Sequence, residues 1–123
     1  MKSYEVTRIG HHRGRPRLWL EGIKALMGGF FPGKRFAAKK DLEKQMLVLE
    51  LSETGCRIVS RKLKGEKEIP VIDINSMELL SVFEGIEAVR VVVQQGRIFI
   101  LPLSSEIAVR ERLDRLKSKL ESG

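Results

Sequence analysis

Hydrophobic and polar positions alternate with period two through most of the chain, and glycine- and proline-bearing turns interrupt the alternation; this predicts a protein built mainly of short strands. Tyr4-Glu5-Val6-Thr7-Arg8-Ile9 alternates as a half-buried strand does, with Tyr4, Val6 and Arg8 on one face, and Gly10 ends it. A basic loop follows, after which Leu18 and Leu20 flank Trp19 in a second strand. Gly22 opens a short helical pattern carried by Ile23, Leu26 and Met27, and Gly28-Gly29 closes it as glycine does at helix C-termini. Phe30-Phe31-Pro32-Gly33 makes a turn, Arg35-Phe36-Ala37-Ala38 begins a third strand, and Met46 to Leu51 is a fourth.

From Gly55 the same order returns. Arg57 to Arg61 reads as a strand, Lys62 to Glu68 as a polar, basic loop, and Ile69 to Ile74 as a second strand. Asn75 is suited to an N-cap, with Glu78 three residues on, and Met77, Leu79, Leu80 and Phe83 form the apolar positions of a helix of about two turns. Val89 to Val93 and Arg97 to Leu101 are strands around a tight turn at Gln94-Gln95-Gly96. Pro16 and Pro70 both introduce the second strand, Leu18/Leu20 correspond to Ile72/Ile74 and Leu26 to Leu80 at an offset of 54, and Leu47/Leu49 meet Ile98/Ile100 at an offset of 51. Residue identity between the halves is low, and chance likeness of two β-rich segments is the alternative. Element order, proline position and spacing together favour an internal duplication.

Beyond Pro102 the pattern changes to helical. Ser104 and Ser105 can cap a helix in which Val109, Leu113, Leu116 and Leu120 make a heptad-like seam. Two heptads are too few for an independent coiled coil, so this helix packs on the body of the protein or meets its copy in a homodimer. The predicted organisation is therefore a body over residues 1–103 and an amphipathic helix over 104–123.

Charge adds a polarity that the apolar pattern does not show. The formal net charge is +7; residues 1–40 carry ten Lys/Arg against Glu5 and Glu21, and residues 41–123 carry thirteen against fourteen acids. Clustered cations displace counterions from phosphates, so a basic first third suggests a nucleic-acid or other anionic partner, with a merely solubilising face as the bland alternative. Arg13-Gly14-Arg15-Pro16-Arg17 contains the R-G-R-P letters of an AT-hook, a weak match by itself. Because Pro16 has a counterpart in Pro70, these arginines are expected on a loop and strand edge braced by the folded body. No apolar run approaches the roughly 20 residues of a membrane span, and the start of the chain has no signal-peptide core. Together with a lone Cys56, which leaves no disulfide framework, this predicts a cytoplasmic protein without a membrane contact.

Candidate chemistry is sparse. His11 and His12 are adjacent, so in a strand they point to opposite sides; without a neighbouring Cys, Asp or Glu at ligand spacing they suit a basic loop that hydrogen-bonds phosphate better than a metal site. Asp73 faces away from Ile72 and Ile74 and is expected to face solvent or cap the helix. Ser60, Ser76 and Cys56 have no evident base partner, and no phosphate-loop or nucleophile-elbow motif occurs. Neither an enzyme nor a cofactor is expected. Phe30, Phe31, Phe36, Phe83 and Phe99 are expected in the core, and Trp19 alone is a candidate stacking platform for nucleic acid.

The strand, Arg/Gly-rich loop, strand, short helix and hairpin of the first half, with the segment PRLWLEGIKALMGGFFPGKRF, resembles the swapped-hairpin half-barrel of the AbrB/MazE superfamily and is similar to its SymE branch. Gly29-Phe30-Phe31-Pro32-Gly33 matches the branch's turn well, and Phe83-Glu84-Gly85-Ile86-Glu87 loosely. The resemblance covers about residues 4–103. It implies an α+β, β-dominated fold, a small barrel from two tandem AbrB-like β-β-α-β-β units over about 4–52 and 55–103, plus the C-terminal helix. In that family a single unit is generally a whole subunit, so two units in one chain imply an intramolecular pseudo-dimer.

The resemblance also implies function. Members are mostly DNA-binding transcription regulators or antitoxins of toxin–antitoxin pairs, and they touch DNA from the first strand and the loop behind it. Carried over, the nucleic-acid-binding positions are Arg8, Arg13, Arg15 and Arg17, joined by His12 of the same loop, and Arg57, Arg61, Lys62, Lys64 and Lys67 in the second unit. Glu66 and Glu68 dilute the second set, which predicts an asymmetric site dominated by the first unit. DNA is favoured over RNA as partner; the alternatives are a SymE-like toxin that binds or cleaves RNA, and a protein-interaction module or inhibitor with an acidic partner.

Overall fold

A computed structural model describes the backbone of residues 3–22, 25 and 27–103, and the side chains of all of these except 3–5 and 12. Ten strands carry the fold: β1 (Ser3–Arg8), β2 (Gly10–His12), β3 (Arg15–Glu21), β4 (Arg35–Asp41), β5 (Met46–Leu51), β6 (Arg57–Ile58), β7 (Ser60–Lys64), β8 (Lys67–Ile74), β9 (Ala88–Gln94) and β10 (Arg97–Leu103). One short helix, α1 (Met77–Leu80), runs into a 3-10 turn at Ser81–Phe83. The fold is β-dominated, and its six-stranded sheet, in the order β1-β9-β10-β5-β4-β6, curls into a half-barrel. A four-stranded sheet, β2-β3-β8-β7, completes the body. Ile23, Leu26 and the predicted helix over 104–123, with its seam and dimer contact, lie outside the described residues.

The pairing is symmetric between the two halves. Exchanging β1–β5 with β6–β10 reverses each strand order and leaves it unchanged. In the small sheet Leu18 opposes Ile74, Leu20 opposes Ile72, and Trp19 faces Asp73 between them. In the large sheet Leu47 opposes Ile100, Leu49 opposes Ile98, and Val48 faces Phe99. Both central pairs join residues at the offsets of 54 and 51, so an approximate twofold axis passes through them. Ile9 and Val59 occupy equivalent bends where each first strand leaves the large sheet for the small one. Ile9 N–H donates to Glu87 O at 2.9 Å and Val59 N–H donates to Lys34 O at 2.8 Å. Both side chains are buried, so the same apolar anchor fixes both bends.

The core lies between the sheets. Leu18, Leu20, Ile72 and Ile74 from the small sheet meet Leu47, Leu49, Val89, Val91, Ile98 and Ile100 from the large one, all buried. Phe30 and Phe36 meet edge to face, with centroids 6.0 Å apart, a geometry worth about 0.5–1.5 kcal/mol beyond burial. Gly29, at φ 88°, turns the chain ahead of Phe30, whose amide donates back to Ala25 O at 3.0 Å. Pro16 and Pro70 both lie just outside the β3–β8 ladder, which runs from Leu18–Glu21 to Val71–Ile74, so their missing N–H groups cost no bond there.

Four local expectations are corrected. The segments expected as basic loops are hairpins: β2 pairs with β3 through a two-residue turn at Arg13-Gly14, and β7 pairs with β8 through Gly65-Glu66. Ser76, not Asn75, caps α1, because its Oγ accepts from Leu79 N–H at 3.3 Å. On β1 the face bearing Val6 and Arg8 points outward, leaving Val6 exposed, because the inward face is set by the alternation of β9 beside it, where Val89, Val91 and Val93 are buried. Phe31 is 48% exposed rather than in the core, since the turn it sits in puts Phe30 inside and its neighbour out, and Phe99 is only half-buried, because strand alternation gives the inward face of β10 to Ile98 and Ile100.

Candidate nucleic-acid interface

Strand alternation divides β3 cleanly. Leu18 and Leu20 point into the core, while Arg15, Arg17, Trp19 and Glu21 stand on the outer face of the small sheet. On β8 the register puts Lys67, Ile69, Val71 and Asp73 on that same outer face, and on β7 it adds Ser60, Lys62 and Lys64. The first hairpin forms one end of this face and the second hairpin the other.

At the first end, Arg13 and Gly14 form the turn with φ 54° and 77°. Positive φ at both central positions is what a type I′ hairpin turn requires, and it matches the right-handed twist of the strands. Gly14 takes this conformation freely; for Arg13 it costs roughly 1 kcal/mol. The result is a guanidinium at the tip of a tightly turned hairpin, with Arg15 on the adjoining strand. Arg8 ends β1 at the bend into β2. Among the described residues, Arg8, Arg13 and Arg15 make no ion pair.

Arg17 is committed differently from the expected role. Its Nε and Nη2 donate to the two carboxylate oxygens of Asp73 at 2.9 and 2.8 Å, a bidentate pair across β3 and β8. Its guanidinium also lies over the Trp19 ring, 4.6 Å from the centroid. The hydrogen bonds to Asp73, first of all, and the charge of that carboxylate outweigh desolvation and raise the Arg17 pKa further. The guanidinium is therefore charged wherever the protein folds, and the pair contributes no pH dependence from its arginine end. Asp73, expected to face solvent or cap the helix, is instead the partner that holds Arg17 in place.

The second-unit cations divide. Arg57 lies opposite Phe36 in the large sheet and so is not part of the outer face of the small one. Arg61 stands on the opposite face of β7 from Lys62 and Lys64, and its Nη1 donates to Glu68 Oε1 at 2.6 Å. Neither joins the first-unit arginines. Lys62 reaches Glu21 Oε2 at 3.6 Å, which spends one outer-face acid on one outer-face cation. Lys64 and Lys67 oppose each other at the tip, like charges that keep that end basic. The structure gives the backbone of His12, opposite Arg15, and its side chain is outside the described residues.

Two hollows border the arginines. Arg15, Pro16, Arg17 and Asn75 line one of about 380 Å³. Arg8, Gly10, His11, Arg17 and Trp19 line another of about 250 Å³. Sequence reasoning missed both, because each joins residues from strands that only pairing brings together. No group of His, Cys, Asp or Glu suited to a metal ion occurs among the described residues, and no helix among them is long and apolar enough to cross a membrane. Comparison with protein-family models, characterised proteins and solved structures finds no match to this chain.

Proposed function

We propose that the protein is a DNA-binding regulator, a transcription repressor of the antitoxin-like kind, that grips the phosphate backbone with the first hairpin. The observation that carries this reading is the set of cations Arg8, Arg13 and Arg15, unpaired among the described residues, at one end of the small sheet's outer face, where the acids Asp73 and Glu21 are already engaged by Arg17 and Lys62. An unpaired guanidinium at a hairpin tip can make two parallel hydrogen bonds to a phosphate, and each such contact releases counterions.

The architecture behind this reading is a pair of AbrB-like units in tandem. The reversible strand orders and the central pairs Trp19/Asp73 and Val48/Phe99 support it, since each half supplies strands that complete the other's sheet. Under this reading the two hairpins are equivalent, but Arg15 and Arg17 have Ile69 and Val71 as counterparts, so the grip is asymmetric.

The test is duplex DNA binding across a salt series. Three phosphate contacts predict a log–log slope of about −3, and Arg13→Ala combined with Arg15→Ala is expected to abolish measurable binding. Affinity that does not change with salt overturns the proposal.

A further inference from the structure

Trp19 is the only aromatic side chain other than histidine on the small sheet among the described residues, and 39% of it is exposed. Packing does not ask for an indole there, because the equivalent position across the twofold axis is Asp73. What the indole supports is Arg17, whose guanidinium lies over the ring and is held there by two hydrogen bonds to Asp73. The stack forms one wall of the hollow lined by Arg8, Gly10, His11, Arg17 and Trp19. At about 250 Å³ this hollow lies below the ~300–1,000 Å³ of pockets that enclose drug-sized ligands. It suits a single planar ring.

Gly10 keeps the hollow open. It stands opposite Arg17, its φ is not in the left-handed region, and a Cβ there would meet only Arg17 O at an ordinary 3.6 Å. Neither backbone conformation nor crowding demands glycine at this position; what glycine leaves is room. Arg8 borders that room with an unpaired cation.

We propose that this hollow takes one unpaired nucleobase, stacked against the Arg17–Trp19 wall with Arg8 on the adjoining phosphate. The ligand is then a strand that presents an unstacked base, in preference to continuous duplex. The inference rests on the nucleic-acid reading above and adds the class of structure recognised: stacking on aromatic and guanidinium planes accepts any base but requires it to be free of its partner.

The experiment compares three labelled probes of equal length with the full chain: single-stranded oligothymidylate, a duplex, and an abasic strand with the same phosphates. The single strand is expected to bind more tightly than the other two and to quench Trp19 fluorescence, which the abasic strand leaves unchanged. Trp19→Ala is expected to weaken single-strand binding by roughly 5- to 150-fold, the range for one stacked base, with Trp19→Phe in between. Gly10→Val places a side chain at the hollow, where its Cβ makes only an ordinary contact, and is expected to cause a similar loss at an unchanged melting temperature, which separates ligand exclusion from misfolding. A ribo-oligonucleotide arm ranks RNA against DNA; a stronger quench by either supports the pocket and names its source. Equal binding of abasic and normal strands, or full single-strand affinity in Gly10→Val, overturns the pocket while leaving salt-dependent duplex binding intact. Failure to bind any of the three probes overturns both proposals.

Discussion

The two hairpins of the small sheet occupy equivalent places and carry different chemistry. In both, the strand nearer the axis turns its apolar residues inward, Leu18 and Leu20 in one and Ile72 and Ile74 in the other. Outside the core they diverge. The first hairpin turns tightly at Arg13-Gly14 and bears Arg15 and Arg17, whereas the second runs two residues further on each strand to Gly65-Glu66, with Ile69 and Val71 at the matching outer positions. The first keeps its tip cations unpaired; the second pairs Arg61 with Glu68 and Lys62 with Glu21. Core equivalence is enforced by packing, because an inward position has one shape to fill. An outward position is under no such constraint, so the two surfaces are free to differ.

The strongest way to test the shared half of this comparison is to remove matched core side chains. Leu18→Ala and Ile72→Ala should each cost about 2–5 kcal/mol in urea unfolding, and by similar amounts, since both side chains are fully buried at equivalent places. A large inequality breaks the equivalence. The divergent half is tested on duplex DNA. Arg13→Ala with Arg15→Ala should abolish measurable duplex binding, whereas Lys62→Ala with Lys64→Ala should leave binding measurable and flatten its log–log salt slope by less than about 1, because Lys62 is already paired.

A smaller effect sharpens the contrast between stability and binding. Arg13→Asn puts Asn-Gly, the sequence a type I′ turn favours, at the tip and should raise stability by about 1 kcal/mol in thermal unfolding. The same change should weaken DNA binding, as expected if the strained arginine is kept for a ligand. The smallest effect belongs to the second hairpin. Arg61→Ala removes an exposed ion pair and should shift stability by no more than about 0.5–1 kcal/mol, with duplex affinity unchanged.

Much of the fold was legible in the apolar pattern. The period-two runs at Met46–Leu51 and Ala88–Gln94 are strands, and the offsets of 54 and 51 reappear as the central pairs of the two sheets. The first basic segment reads as a loop because Gly10, Gly14 and Pro16 are turn-formers individually, and only the pairing of His12 with Arg15 makes it a hairpin. The second reads as a loop because Leu63 is a lone apolar residue in a charged run, and it stays exposed in the hairpin. On β1, the inward face carries Thr7 while Val6 points out; the pattern's usual rule fails because an edge strand is positioned by its neighbour's register.

The candidate site was legible as a list of cations but not as a set of roles. Arg8, Arg13, Arg15 and Arg17 differ little in sequence context, and nothing local tells the free ones from the one held by Asp73, 56 residues away. Likewise Arg61 and Lys62 are adjacent in the chain and stand on opposite faces of β7.

By itself the sequence determined most of the strands, the repeated order of the two halves, the apolar positions of the central strands and the basic bias of the first third, because hydrophobic periodicity and charge are summed along the chain. Only the tertiary structure decided which arginine stays free, why Trp19 is exposed, and that Gly10 opens a hollow beside it. Those depend on strand register, and register places a side chain against residues that are far away in the chain.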